Sequence, residues 1–444
     1  MTVAMIKTKA EQALTEAFEA LSDRLPGGAA VLEARKQALG RFAAVGLPHR
    51  RIEEWKYTDL RNQMKEALAP AIGDETVVSM GDLFVALGPL AQLESPRVVF
   101  VNGSYRKELS SLDGLNGVEV LPLGQSLASA PDHAAEGLAR VEREGSGVVA
   151  LNTAYMTDGA VVRVAAKAKV AKPLLLVFMR AGSEGRHVAT RNVVSVGKGA
   201  AVTLVEAFVG LAGATAEGQN NTLSEIVVGD GANVSHVKCV ADMGKVTHLS
   251  SSIVDLGKDS VYRGFQHTQG VGLARNDIAV RYNGEGAKLD LSGSFLARAA
   301  EHVDTTLVVD HAVPHCESRE LFKGVLDGEG RGIFQGKIIV RPDAQKTDGK
   351  QMAQVLMLSE TSEFDSKPEL EIYADDVVCG HGSTSAELDP DLIFYMRARG
   401  IPEAEARALL VRSFIGEAID KIEHEGLHDA VMSLAVQWLE GAKG

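Results

Sequence analysis

One of the three cysteines in this 444-residue chain, Cys379, stands two positions before His381 in the stretch ADDVVCGHGST, residues 374–384. Along a strand, residues i and i+2 project from one face, so thiol and imidazole can reach the same object. That pair suits zinc, copper or the iron of an iron–sulfur cluster. Two ligands are half of what a structural zinc site takes. A cysteine nucleophile with an imidazole base is a second reading, although the sequence identifies no third group to orient the base. The plain alternative is two residues in a glycine-rich strand end.

A second concentration is DHAVPHCES, which holds His311, His315 and Cys316, with His302 nearby. Histidines at i and i+4 share a helix face, but Pro314 argues against a helix and leaves a polar turn between strands. Cys239 in SHVKCV alternates with apolar neighbours and reads as core. The stretch GRGIFQGKII falls short of a phosphate loop. Arg331 stands where the first glycine belongs and Ile338 follows Lys337, so no ATP binding by this chain alone is expected. In AQKTDGKQ, Lys346, Asp348 and Gln351 fit a polar turn as well as a site.

Composition narrows the classes. The 46 basic and 59 acidic residues give a formal charge of −13, which argues against extensive nucleic-acid contact. Aromatic residues make up 5%, too few for a stacking platform. The hydrophobic and charged fractions, 45% and 24%, are those of soluble globular material, and the length predicts two or three domains. The start MTVAMIKTKAEQALTEAFEA lacks the features of a signal peptide, and apolar runs such as PLLLVFM at 173–179 are too short for a bilayer. Cysteines at 239, 316 and 379 form no disulfide framework, so a cytoplasmic setting without membrane contact is expected.

Three regions must position the candidate residues. Residues 1–95 read as an N-terminal helical region. Leu14, Phe18, Leu21 and Leu25 recur at spacings of three and four before Pro26, and a second run carries Val31, Leu32, Leu39 and Phe42 before Gly46. Residues 96–388 read as short β-rich runs broken by glycine. Residues 389–444 return to helix. One helix begins at the cap Asp389, and a second carries Leu410, Phe414, Ile415, Ala418 and Ile422 on one stripe.

Inside the β-rich region a glycine turn followed by a hydrophobic residue recurs at Val202, Val234, Tyr262, Leu289 and Ile333, at intervals of 32, 28, 27 and 44 residues. Repeated turn–strand units without intervening helices predict a mainly β fold, a parallel (right-handed) β-helix, with an antiparallel sandwich as the alternative. Helices at both ends are expected to cover its strand edges.

The run HAVPHCESRELFKGVLDGEGRGIFQGKIIV, with AQKTDGKQ, LMLSE, PELEIYADDVVCGHGST and FYMRARGI, resembles the SufB/SufD family of iron–sulfur cluster assembly scaffolds. RRIEEWKYTDL, 50–60, is similar to that family's early motif. The chain is nearer the SufD branch, being short and lacking the cysteine-rich N-terminal motif common in SufB members. The resemblance implies a non-enzymatic β-helix scaffold that pairs with a SufB-type scaffold and docks a SufC-type ATPase within residues 388–425. It implies His381 at the shared cluster-assembly interface with Cys379 beside it, the two serving as metal ligands of a site completed by the partner. No cofactor is then stably bound by the chain alone, and the iron–sulfur cluster is transient in the complex. In isolation a homodimer is compatible with this. Two other readings are a carbohydrate-active β-helix enzyme and a purely structural SufB-like homodimer. The enzyme would call for a secretion signal, clustered carboxylates and exposed aromatic residues in a chain with two tryptophans. The resemblance assigns no role to Cys239, Cys316, His311 or His315.

Overall fold

The structure, a computed structural model, describes residues 7–129, 146–214, 217–242 and 244–441. Part of the N-terminal signal-peptide reading (residues 1–6) and the end of the C-terminal region lie outside the described residues. Successive strands alternate between two sheets that face each other across a shared core. One sheet stacks β1 (Arg97–Val101), β5 (Leu174–Arg180), β7 (Ala201–Gly210), β9 (Asn233–Ala241), β11 (Val261–Gln269), β13 (Lys288–Ala297), β15 (Glu317–Leu326), β17 (Asp348–Met357) and β19 (Val378–Ala386), with the short β2 (Ser104–Tyr105) beyond β1. The other stacks β3 (Val118–Pro122), β4 (Ala160–Val164), β6 (His187–Val196), β8 (Glu217–Val228), β10 (Gly244–Leu256), β12 (Val271–Tyr282), β14 (His302–His311), β16 (Arg331–Val340) and β18 (Glu363–Ile372). Along both stacks the strands pair in parallel. Among the strands of the described residues, β1–β2 and β3–β4 pair antiparallel, and these pairs close the first end. This is a parallel β-solenoid and not a sandwich.

The sequence repeat is the inward register of the first sheet. Val202, Val234, Tyr262 and Leu289 are direct Cα partners and all lie in the solenoid core. Ile333 does not continue the stack. It sits on β16 in the opposite sheet, paired with Asp304 and Asp365. The longest interval of the repeat is thus one full coil, from Leu289 to its partner Ser318, plus the half coil that leads from Ser318 across to Ile333. The true continuation is Ser318, Gly349 and Cys379. An aromatic stack of Phe100, Phe178 and Phe208, with ring centroids 5.1 and 4.8 Å apart, fills the core near the closed end.

The earlier part of the N-terminal region, through Ile72, covers the outer face of the second sheet, whereas Val78, Leu83, Leu87 and Leu90 pack on the outer face of the first. Helix Lys9–Leu21 opens with a Thr8–Glu11 capping box, and helix Ala29–Val45 stops where Gly46 takes φ 72°. The segment RIEEWKYTDL ties this region to the far coils. Trp55 lies over the Arg275 guanidinium at 4.4 Å, and Arg275 pairs with Asp304 at 2.6 Å. The backbone carbonyl of Glu54 accepts from Arg275 and Gln335, and Glu53 pairs with Lys367 on β18.

The C-terminal helices lie on the outer face of the first sheet. Helix Glu403–Ile419 packs on β13 and β15, and Lys323 reaches from β15 to Glu417 and to the Phe414 ring, 4.3 Å from its centroid. The buried seam runs through Val411, Ile415, Ala418, Ile419 and Ile422, whereas Leu410 and Phe414 are half-buried. The helix is therefore turned slightly from the stripe expected. The expected cover for the second end is also missing: the C-terminal helices fold back along the sheet, and β18 and β19 remain edge strands with no fully buried residue in either.

Candidate functional site

The open end is built from the last coil. Cys379 packs against the solenoid core, so the inward parity of β19 is fixed, and His381, two residues on, shares that face about 6.6 Å along the strand. With no further coil above, Cys379 is half-buried and His381 is exposed. Partial burial raises the Cys379 thiol above its ordinary pKa, against a backbone hydrogen bond from Gly349 that lowers it. Ile372, Tyr373 and Val378 surround the end with exposed apolar surface, as do Leu392, Phe394 and Tyr395 on helix Pro390–Ala398, which buries none of its residues. Asp389 caps that helix, accepting from the Asp391 and Leu392 amides. Alongside runs an open groove of about 450 Å³, lined among others by Arg319, Lys350, Met352, Gly380 and Lys421.

Beneath the rim the column stays polar. His381 stacks on Gln351, which stacks on Glu320, and Cys379 stacks on Gly349 and Ser318. In the sequence Gln351 fits a polar turn as well as a site, and nothing there marks Glu320. The coil steps that bring them there, 30 and then 31 residues, are not among the intervals of the sequence repeat, so only the strand register identifies both.

The histidine-rich stretch does not form one site. His302 and His311 stand at opposite ends of β14, roughly 30 Å apart at about 3.3 Å per residue. His302 bonds Thr58 Oγ1 at 2.9 Å, and burial lowers its pKa to about 4. His311 stacks on Tyr282 at 4.3 Å with its Nε2 3.2 Å from Ser318 Oγ, and burial likewise lowers its pKa to about 4. His315 occupies a turn with φ 62°, and Cys316 is buried in the solenoid core. Cys239 is buried outside the solenoid under the C-terminal helices, where burial pushes its thiol up to about 12. Lys346 pairs with Asp376 and Asp348 with Arg319, so these members of AQKTDGKQ join neighbouring coils. Among the described residues no three His, Cys, Asp or Glu side chains stand together as a metal site. Cys379 and His381 are the right donor types for soft or borderline iron, but they do not complete a coordination sphere.

Residues 178–414 match the family described as SUF system FeS cluster assembly, SufBD core domain, and residues 8–176 match the SufBD protein N-terminal region. An iron–sulfur cluster assembly SufBD family protein of Synechocystis sp. is 33% identical over 402 residues, 87% of this chain and 86% of that protein. The iron–sulfur cluster assembly protein SufD of Escherichia coli is 30% identical over 412 residues, 91% of this chain and 92% of that protein. A SufD of Bacillus subtilis is 26% identical over 297 residues, 65% of each. No helix among the described residues is long and apolar enough to cross a membrane.

Proposed function

The chain belongs to the SufBD family of iron–sulfur cluster assembly proteins, and from that premise we propose that it is a non-catalytic scaffold whose open end pairs with a SufB-type partner. His381, with Cys379 beside it, supplies this chain's share of a site where a cluster is assembled. The carrying observation is the unfinished last coil. An edge strand presents unpaired backbone groups, and here that edge also carries an inward thiol and imidazole in an apolar rim. A partner edge would extend the solenoid and bring further ligands to the two already there.

A SufC-type ATPase docks on the C-terminal helices, whose inner seam is spent on the sheet while Leu409, Arg412 and helix Pro390–Ala398 stay exposed. The cluster is cargo, held in the complex and not by the isolated chain. The deciding experiment purifies the complex carrying His381→Ala under anaerobic conditions and measures thermal stability with iron and sulfide content. The expected result is intact assembly and stability with reduced cluster, and a smaller loss for Cys379→Ala. Full cluster content would sink the assignment. Joint loss of stability and content would make His381 a structural residue.

A further inference from the structure

Glu320 and Gln351 are each 3% exposed and occupy consecutive inward positions directly below His381. Strands in a sheet lie about 4.8 Å apart, so Glu320 sits about 10 Å beneath His381, with Gln351 between them and no direct contact. Gln351 reaches across the interior to β16, where a Cβ on Gly336 would fall 2.0 Å from its amide nitrogen. Neither Glu320 oxygen and neither amide atom of Gln351 closes a hydrogen bond of good geometry, and His311 Nδ1 nearby is also unpartnered. A largely buried polar column with spare bonding capacity thus leads from the interior to the open end, and Glu320, Gln351, Cys379 and His381 all contribute to the wall of the open groove.

The charge state of Glu320 follows from its neighbours. Burial raises its carboxyl to about 8, outweighing the Ser318 hydroxyl and Arg319 on its own strand, while Asp290 on β13 adds to the rise. Within its electrostatic reach stand Tyr282 from β12 and Cys379 from β19, and His311 from β14 bonds its strand neighbour Ser318. The cations on this side are Arg319, bonded to Asp348 at 2.7 Å, Lys421, 3.7 Å from Asp290, and Lys350 on the groove wall; the first two are thus already paired with other carboxylates. A carboxyl so placed is most stable neutral.

We propose that Glu320 is the charge-compensating group of the open end: protonated while the coil above it is empty, ionised when a divalent cation settles against His381 and Cys379. This rests on the reading of that end as an assembly face. Of this chain's own groups, one thiolate and a neutral imidazole leave one charge of a dication unbalanced, and neutral donors from the partner do not change that count. The Glu320 carboxylate supplies the missing negative charge, and its proton leaves to solvent through the open end. No bond other than O–H breaks and no electron moves. Cation uptake therefore releases one proton beyond that of the thiol.

The test uses the assembled complex and ferrous iron under anaerobic conditions. Calorimetry in buffers of different ionisation heat counts protons, and infrared difference spectra with carboxyl-labelled glutamate follow the neutral carboxyl. Wild type should release about one proton more than Glu320→Gln near neutral pH and lose a neutral-carboxyl band on loading, and the variant should bind iron several-fold more weakly. Should the variant fold poorly, the wild-type infrared band decides alone. Iron binding that depends on His381 but leaves the carboxyl band and proton count unchanged overturns this inference only. No iron uptake, or uptake indifferent to His381→Ala, removes the assembly-face reading and this inference with it.

Discussion

Two glutamates sealed in the same solenoid are held in opposite charge states. Burial alone would raise the Glu206 carboxyl, but Lys238 at 3.0 Å on the adjacent strand, with His236 and Ser224, holds it well below the usual range. Its contribution is present above the unfolded pKa near 4.5 and is lost as pH falls. Removing one partner strands a buried charge, so Lys238→Met should cost about 3–5 kcal/mol in urea unfolding at pH 7. The paired change Glu206→Leu with Lys238→Met should recover most of that loss, and failure to recover would mean the pair is needed for more than charge balance. Glu320 runs the other way. Its raised pKa makes stability complete below about 4.5 and erodes it as pH climbs to about 8. At roughly 1.4 kcal/mol per unit this is at most about 5 kcal/mol. Glu320→Gln should flatten the decline in unfolding free energy between pH 5 and pH 8, and an unchanged slope would show that Glu320 is already ionised at pH 5.

The helices at the two ends of the chain work as straps on the faces of the solenoid. On helix Glu403–Ile419, Val411 is 2% exposed and Leu409 is 41% exposed, only two positions apart. Val411→Asp buries a charge against the sheet and should lower the melting temperature by many degrees. Leu409→Asp should leave melting nearly unchanged and weaken co-purification with the ATPase, and the reverse pattern would mean the helix is turned the other way in solution. At the N-terminal side, Trp55→Ala uncovers Arg275 and Asp304 and empties a buried site. The expected loss is about 3–5 kcal/mol by denaturant unfolding, and a loss under about 1 kcal/mol would show that the motif serves something other than the clamp.

At the scale of the whole molecule the asymmetry of the ends matters most, since one is closed by antiparallel strands and stacked phenylalanines and the other stops at bare edges. Lysines at Tyr373 and Val378, 60% and 62% exposed, should abolish pairing with a SufB-type partner, and any self-pairing, in sedimentation while the melting temperature of the isolated chain stays within about 2 °C. Persistent pairing would place the interface elsewhere. Local sequence determined much of this architecture. Glycine turns and alternating strands specify coils because each coil buries its apolar face only on its neighbours, and capping residues such as Thr8, Gly46 and Asp389 act within a few positions. The type and spacing of Cys379 and His381 were equally legible, since strand parity puts them on one face. What lay beyond the sequence was long-range register. The apolar signal that marked Val202 to Leu289 vanishes at Ser318, where the same column turns polar, so the pattern jumped to Ile333 in the other sheet. Only the stacked coils bring Gln351, one coil earlier in the chain, and Glu320, two coils earlier, under His381. Only they leave that column open, because whether a C-terminal helix caps a strand edge or folds back along a face depends on the surface it meets, and no local pattern encodes that surface.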